Sequence, residues 1–248
     1  MTAPAKNLSA VLFDCYGTLV DISIDTEAEG LWERFSAELA TAGLNLPPQE
    51  LRSRYISLVD AERREHGEPF VLDRCFFYKL LNSDQRQLPP RLVRQFGRRF
   101  RELTTRHIEA RKYVIPLLRA LRESGCKVGL VSNTEGTVTG HDLDHLGLRQ
   151  YFDGVVLSSE AGVKKPDRAI FLMALHALGI GPQETVFVGD DYKCDFQGAS
   201  SAGLRAILLG NSSAEPHALA VAPSLEPILE ALQQCGWCAP TAMPRVAA

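Results

Sequence analysis

The sequence lacks long apolar runs and has no strong excess of charge of either sign. Its 27 Lys and Arg residues nearly balance its 30 Asp and Glu residues, which leaves a formal net charge of -3. The first ten residues contain no apolar signal-peptide core, because the apolar stretch after them is interrupted by Asp14. We therefore predict a cytoplasmic protein with no nucleic-acid partner and no membrane partner.

Cysteine pairs are also scarce. Of six cysteines, only Cys235 and Cys238 lie close together, in the segment CGWC. A redox-active pair with this spacing would begin a helix in a βαβ unit, whereas this one opens a polar, proline-containing tail at residues 236–248. We interpret the two residues as ordinary tail cysteines.

Short runs rich in Val, Ile and Leu recur along much of the chain. After AVLFDC near the N-terminus come KVGLVSN, GVVLSS, TVFVGD and RAILLG, with helical segments between them. Continuous apolar runs, in contrast to alternating ones, are typical of strands that are covered on both faces. This pattern predicts an α/β fold with a parallel sheet, built from residues 1–20 and 114–235.

Residues 21–113 have a different pattern of apolar residues. Two segments place apolar residues at helical spacing, one with Leu31, Phe35 and Leu39 and another with Phe96 and Phe100. Paired prolines separate the helical segments, and no segment between them reads as a convincing strand. The pattern predicts a small α-helical domain inserted after the first strand.

Polar side chains follow the predicted strands at the points where the strands end. Because ligands bind outside the carboxyl ends of strands in an open parallel sheet, we expect these residues to converge at one edge. They are Asp14 after the first strand, Ser132 and Asn133 after KVGLV, Asp190 and Asp191 after TVFVG, and Lys165 in the loop-helix segment VKKPDRAIF.

Four segments in this order resemble the motifs of the haloacid dehalogenase-like (HAD) hydrolases. DCYGTL is similar to the first motif, SNT to the second, KKPD to the third and GDDYKCD to the fourth. The resemblance implies a Rossmann-like HAD core, with residues 21–113 as the helical cap of subfamily I. It also implies hydrolysis of an anionic small-molecule substrate.

The resemblance assigns a role to each candidate residue. Asp14 is the implied nucleophile, Ser132 binds the transferring group, Lys165 neutralises its charge, and Asp195 orients Lys165. The implied Mg²⁺ site consists of Asp14, Asp190 and the backbone carbonyl of Tyr16, with Asp191 beside it. An all-oxygen ligand set suits this hard cation. The candidate catalytic residues are thus Asp14, Ser132, Asn133, Lys165 and Asp195, and the candidate substrate or acid/base positions are Tyr16 and Thr18.

Tyr16 departs from the pattern of the HAD phosphatases, which carry an acid/base aspartate there. With an ordinary pKa of about 10, a phenol is a poor base near neutral pH. Tyrosine at this position resembles the metal-independent 2-haloacid dehalogenases. The adjacent carboxylates of Asp190 and Asp191, however, would repel Asp14 unless a cation lay between them. We favour a Mg²⁺-dependent phosphohydrolase, with a dehalogenase as the alternative and a binding or regulatory protein on a HAD scaffold as a third reading.

The segment 86–112 is strongly basic, with nine Arg and Lys residues against two Glu residues. Such a segment could attract an anionic substrate, but the acidic residues elsewhere in the predicted cap favour a solvated helix face.

Overall fold

A computed structural model describes residues 8–66, 76–83, 87–210, 220–222 and 224–234. Cys235, Cys238 and the tail 236–248 lie outside the described residues. The chain divides into two compact units, one containing residues 1–21, 109–133 and 146–248, and the other residues 22–108 and 134–145. Among the described helices, none combines the length and the apolar character needed to cross a membrane.

The described part of the chain contains eight strands and ten α-helices. The strands are β1 (Ala10–Phe13), β2 (Val20–Ile24), β3 (Thr105–Ala110), β4 (Lys127–Ser132), β5 (Gly154–Leu157), β6 (Thr185–Gly189), β7 (Arg205–Leu209) and β8 (Ala220–Ala222). The α-helices are α1 (Leu31–Thr41), α2 (Pro48–His66), α3 (Phe76–Leu81), α4 (Pro90–Thr104), α5 (Val114–Glu123), α6 (Gly136–His145), α7 (Ser158–Ala161), α8 (Arg168–Leu178), α9 (Gly198–Ser201) and α10 (Ile228–Gln234).

A six-stranded parallel sheet forms the centre of the first unit. Its order is β5-β4-β1-β6-β7-β8, so β1 lies between β4 and β6. Every residue of β1 and β6 is buried, as expected for strands covered on both faces. The predicted α/β fold with a parallel sheet is confirmed.

The structure places two strands in or at the edge of residues 21–113, which the sequence predicts as helical. Strands β2 and β3 pair as a separate two-stranded sheet, in the segments where the chain passes between the two units. Both strands carry charged residues and most of their side chains are at least partly exposed. They therefore lack the apolar run by which the other strands are recognised.

The second unit has a helical core rich in aromatic side chains. The rings of Trp32 and Tyr55 lie 5.3 Å apart, and each lies within 5.6 Å of Phe100. Phe35 and Phe96 belong to the same buried cluster. The apolar stripes predicted for α1 and α4 are thus the faces that these helices bury.

Helix α6 differs from its predicted place. The sequence assigns residues 114–235 to the sheet domain, but residues 134–145 cluster with the second unit. Val138 of α6 packs into the apolar core of that unit. The buried guanidinium of Arg101 on α4 also binds the buried carboxylate of Asp142 on α6, at 2.8 and 3.0 Å.

Candidate active site

The central strand β1 places Asp14 between two neighbouring strand ends. Phe13 is in register with Leu130 of β4 and with Val188 of β6, and the Asp14 amide donates to the Val188 carbonyl at 3.0 Å. Because all three strands are parallel, the residues that follow them emerge at the same edge of the sheet. The structure thus brings the predicted strand-end residues together.

The carboxylate of Asp14 is bound by two side chains. Ser132 Oγ donates to Asp14 Oδ1 at 2.9 Å, and Lys165 Nζ donates to the same oxygen at 2.6 Å. All three residues are buried, with 8% or less of their surface exposed. The buried carboxylate therefore has a hydrogen bond and an ion pair that offset the cost of removing it from water.

Asn133 fixes the backbone that carries Lys165. Its side-chain oxygen accepts from the Lys165 amide at 2.7 Å, and its side-chain nitrogen donates to the Lys165 carbonyl at 2.9 Å. These two hydrogen bonds join the residue that follows β4 to the loop before α8. Asn133 is therefore a positioning residue, since its described contacts are with the Lys165 backbone.

Asp195 is a second carboxylate that binds the Lys165 ammonium. Its Oδ1 accepts from Lys165 Nζ at 2.6 Å, and its Oδ2 accepts from the backbone amides of Asp190 and Asp191 at 3.0 Å each. The close approach requires glycine at position 189, because a Cβ there would lie 2.3 Å from the Asp195 carboxylate. Asp195 thus joins the lysine to the loop after β6.

The pKa values of Lys165 and Asp195 are both raised, for different reasons. Burial by itself lowers the pKa of the Lys165 ammonium, but the carboxylates of Asp14 and Asp195 outweigh it and raise that pKa well above its usual range. Burial raises the pKa of Asp195, while the Lys165 ammonium opposes that shift. Lys165 therefore stays charged at neutral pH and supplies fixed positive charge beside Asp14.

Asp190 approaches the site from the loop after β6. The fully buried Thr18 donates from its hydroxyl to Asp190 Oδ1 at 2.7 Å. Burial raises the pKa of the Asp190 carboxyl, the Thr18 hydrogen bond lowers it, and the negative charge of Asp14 raises it further. Gly17 has a φ of 83°, and a Cβ there would lie 2.3 Å from Asp190 Oδ2, so both backbone conformation and space favour glycine.

Three carboxylates of this site can share one cation. Oxygens of Asp14, Asp190 and Asp195 all lie within 4.8 Å of one another. Lys165 pairs with Asp14 and Asp195, whereas Asp190 is exposed and its ionisation is opposed by Asp14. A hard divalent cation between Asp14 and Asp190 would remove this repulsion, so the donor set fits Mg²⁺.

Two predicted residues have other contacts than those expected. The Asp191 carboxylate accepts from the Cys194 amide at 2.6 Å and caps the helical turn Tyr192–Gln197, and the carboxylates that cluster with Asp14 among the described residues are those of Asp190 and Asp195. Thr18 contacts Asp190, which makes it an orienting residue. Tyr16 is half-buried, and its backbone forms a bridge with Val20 that shapes the loop after Asp14.

Arg111 is a site residue that the sequence did not reveal. Its Nη1 donates to the Gly17 carbonyl, and its backbone amide donates to the Leu19 carbonyl at 2.8 Å. It therefore braces the loop that follows Asp14. No motif marks it, because 94 positions separate it from Gly17 and it lies within the basic segment interpreted as solvated.

A family model and a related phosphatase each match most of the chain. Residues 8–203 match the family model described as haloacid dehalogenase-like hydrolase. The chain is 32% identical over 199 residues to glyceraldehyde 3-phosphate phosphatase of Methanopyrus kandleri, an alignment that covers 79% of this chain and 82% of the relative.

Solved structures of similar fold include phosphatases and dehalogenases. A HAD phosphatase from Thermococcus onnurineus superposes with a TM-score of 0.60 at 25% identity, covering 91% of this chain and 98% of that one. A 2-haloacid dehalogenase from Pseudomonas syringae superposes with a TM-score of 0.61 at 24% identity, covering 92% and 99%. The second likeness concerns the fold alone.

Proposed function

The chain belongs to the haloacid dehalogenase-like hydrolases, and from this premise we propose that it is a Mg²⁺-dependent phosphohydrolase acting on small phosphorylated metabolites. One observation carries the proposal. Oxygens of Asp190 and Asp14 lie within 4.8 Å of each other, and among the described residues no cationic side chain forms an ion pair with Asp190, whereas Lys165 pairs with Asp14 and Asp195. The name of the Methanopyrus relative, a phosphatase of a three-carbon phosphate ester, supports the substrate class.

Asp14 is the proposed nucleophile. One of its oxygens attacks phosphorus, the bond from phosphorus to the ester oxygen breaks, and an aspartyl phosphate forms. Water then attacks the phosphorus of this intermediate, which releases inorganic phosphate and restores the Asp14 carboxylate. The Lys165 ammonium keeps Asp14 ionised, and its charge lies where the phosphoryl oxygens gather negative charge.

The remaining residues orient this pair. Ser132 lies within hydrogen-bond distance of Asp14 and is available to the oxygens of the transferring group. Asn133 and Asp195 hold the two ends of Lys165, its backbone and its ammonium. Asp14, Asp190 and the Tyr16 carbonyl would hold Mg²⁺, whose charge would neutralise the phosphoryl oxygens. Thr18 orients Asp190 for this role.

A second candidate is 2-haloacid dehalogenation, which Tyr16 favours. In that reaction Asp14 would attack carbon and a halide would leave, so no acid would be needed at position 16. The carboxylate of Asp190 opposes this reading, because it lies beside Asp14 and has no role in a reaction without a cation, whereas Asp195 is accounted for by its pair with Lys165.

Parallel assays of phosphate release and halide release test the proposal, each with and without EDTA. We expect phosphate release from small phosphate esters that EDTA abolishes and added Mg²⁺ restores. Asp190→Ala should show the same loss without EDTA, while Asp191→Ala serves as the matched control and retains metal dependence. Halide release that persists in EDTA, without phosphate release, would establish the dehalogenase in its place.

A further inference from the structure

The exposed side of α4, in the second unit, carries a row of arginines. Arg91, Arg94 and Arg98 are three and four residues apart, which places them on one side of the helix. They line a cleft of about 750 Å³, together with Arg99 and the side chains of Glu38 and His141. All these residues belong to the same compact unit.

The acidic residues of this cleft are already paired. Arg99 Nε donates to both oxygens of Glu38 at 2.8 and 2.7 Å, and its Nη1 donates to Glu102 at 2.6 Å. The second oxygen of Glu102 lies 3.6 Å from Nε2 of His141. Arg99 therefore engages both glutamates, and the four arginines of the cleft outnumber its two glutamates, which leaves an excess of positive charge on the side of the three other arginines.

Arg91, Arg94 and Arg98 have no ion pair or hydrogen bond within the part of the chain that the structure describes. Like charges three or four residues apart on a helix repel each other and destabilise it. An anion that contacts more than one of these guanidinium groups would remove this repulsion. A bound anion would therefore stabilise this side of α4. The row also lines a cleft, which distinguishes it from arginines on an open helix face.

The dimensions of the row indicate the kind of anion. The seven residue steps from Arg91 to Arg98 span about 10 Å along a helix axis, which exceeds the reach of a single phosphate group. Guanidinium groups bind phosphate oxygens in pairs, with a geometry that ammonium groups do not match. The volume of the cleft lies in the range of small-molecule sites, about 300 to 1,000 Å³.

We propose that this cleft is a binding site for a small anion with two or more linked phosphate groups, separate from the Asp14 site. The proposal does not rest on the proposed phosphohydrolase activity, because every residue of the cleft belongs to the second unit and Asp14 belongs to the first. The phosphate groups of the bound anion lie along the three arginines. Arg99 is held in place by the two glutamates.

Isothermal titration with sodium triphosphate, in EDTA and at low ionic strength, tests the site. We compare the native protein with the triple variant Arg91→Gln, Arg94→Gln, Arg98→Gln. The matched control is Arg52→Gln, Arg54→Gln, Arg64→Gln, which removes the same charge from α2 in the same unit. We expect one triphosphate per native chain and at least about tenfold weaker binding by the α4 variant. The control should stay within about twofold of the native protein.

Circular dichroism and the midpoint of thermal unfolding show whether the α4 variant is folded, and both should stay close to those of the native protein, because the three substitutions lie on an exposed helix face. No binding of triphosphate by the native protein, or equal losses in both triple variants, would overturn the proposal. So would tighter binding of an oligoglutamate of equal charge, which would identify the row as a surface for an acidic protein.

Discussion

Asp14 is the residue on which the proposed chemistry depends. Its two neighbours, Lys165 and Ser132, bind the same oxygen, so the second oxygen remains available for attack. Asp14→Asn removes the nucleophile and preserves the size of the side chain. We expect turnover to fall by about 10³-fold or more, with an unchanged circular dichroism spectrum. Native-like turnover in this variant would refute the aspartate mechanism.

Position 16 determines how the leaving group obtains its proton. A positioned acid is worth about 10² to 10⁴ in rate, or roughly 3 to 5 kcal/mol of activation free energy. Because Tyr16 is a weak acid, we expect the native enzyme to cleave aryl and acyl phosphates far faster than alkyl phosphates. Tyr16→Asp should flatten this dependence and raise alkyl phosphate turnover.

A series of phosphate esters with graded leaving-group pKa measures this effect. Tyr16→Phe is the control, since it removes the hydroxyl without adding a carboxylate, and its dependence should match that of the native enzyme. A flat native profile that Tyr16→Asp does not change would mean that another group donates the proton.

At the scale of secondary-structure elements, the sequence reveals what repeats locally and misses what depends on distant contacts. Strands β1, β4, β6 and β7 were predictable because both of their faces are buried, so each reads as an apolar run. Strands β2 and β3 were not, because their side chains are mostly charged or exposed. The motif residues at the strand ends could likewise be placed, since parallel strands end at one edge.

Contacts between distant segments explain the remaining differences. Helix α6 belongs with α4 through Asp142 and Arg101, a pair that is 41 positions apart. Arg111 reaches the loop after Asp14 across 94 positions. Helical and strand periodicity predicts neither contact, because each contact depends on which elements the fold brings together.

The buried pair between α4 and α6 gives a prediction about stability. Asp142→Ala leaves the Arg101 guanidinium, 9% exposed, without its carboxylate, which typically costs about 3 to 5 kcal/mol. We expect a lower urea midpoint for unfolding. The exposed pair of Arg99 and Glu38 is the control, and Glu38→Ala should cost less than about 1 kcal/mol.

The double variant Arg101→Met, Asp142→Leu replaces both charges at once. It separates the net contribution of the ion pair to the free energy of unfolding from the effect of removing one partner alone. It should recover most of the lost stability, because apolar residues of similar volume replace both charges. A double variant as unstable as Asp142→Ala would show that the ion pair itself contributes net stability.

At the scale of the whole molecule, the cation site links metal binding to folding. Anything that binds the native state and not the unfolded chain raises the free energy of unfolding, by about 2.7 kcal/mol when its concentration is one hundred times Kd. We therefore expect Mg²⁺ to raise the midpoint of thermal unfolding. Asp190→Asn, which removes one charged ligand, should abolish most of this increase.

The pH dependence of that stabilisation follows from the raised pKa values of Asp190 and Asp195. In the metal-free protein, a carboxyl with a raised folded pKa contributes stability at low pH that is lost as the pH rises through that pKa. The stabilisation by Mg²⁺ has the opposite pH dependence, because Mg²⁺ binds the ionised carboxylates and must displace their protons at low pH. The stabilisation by Mg²⁺ should therefore shrink between about pH 7 and about pH 4. Thermal unfolding at fixed Mg²⁺ across this range measures it, and an increase that is independent of pH, or that survives Asp190→Asn, would place the cation elsewhere than between Asp14 and Asp190.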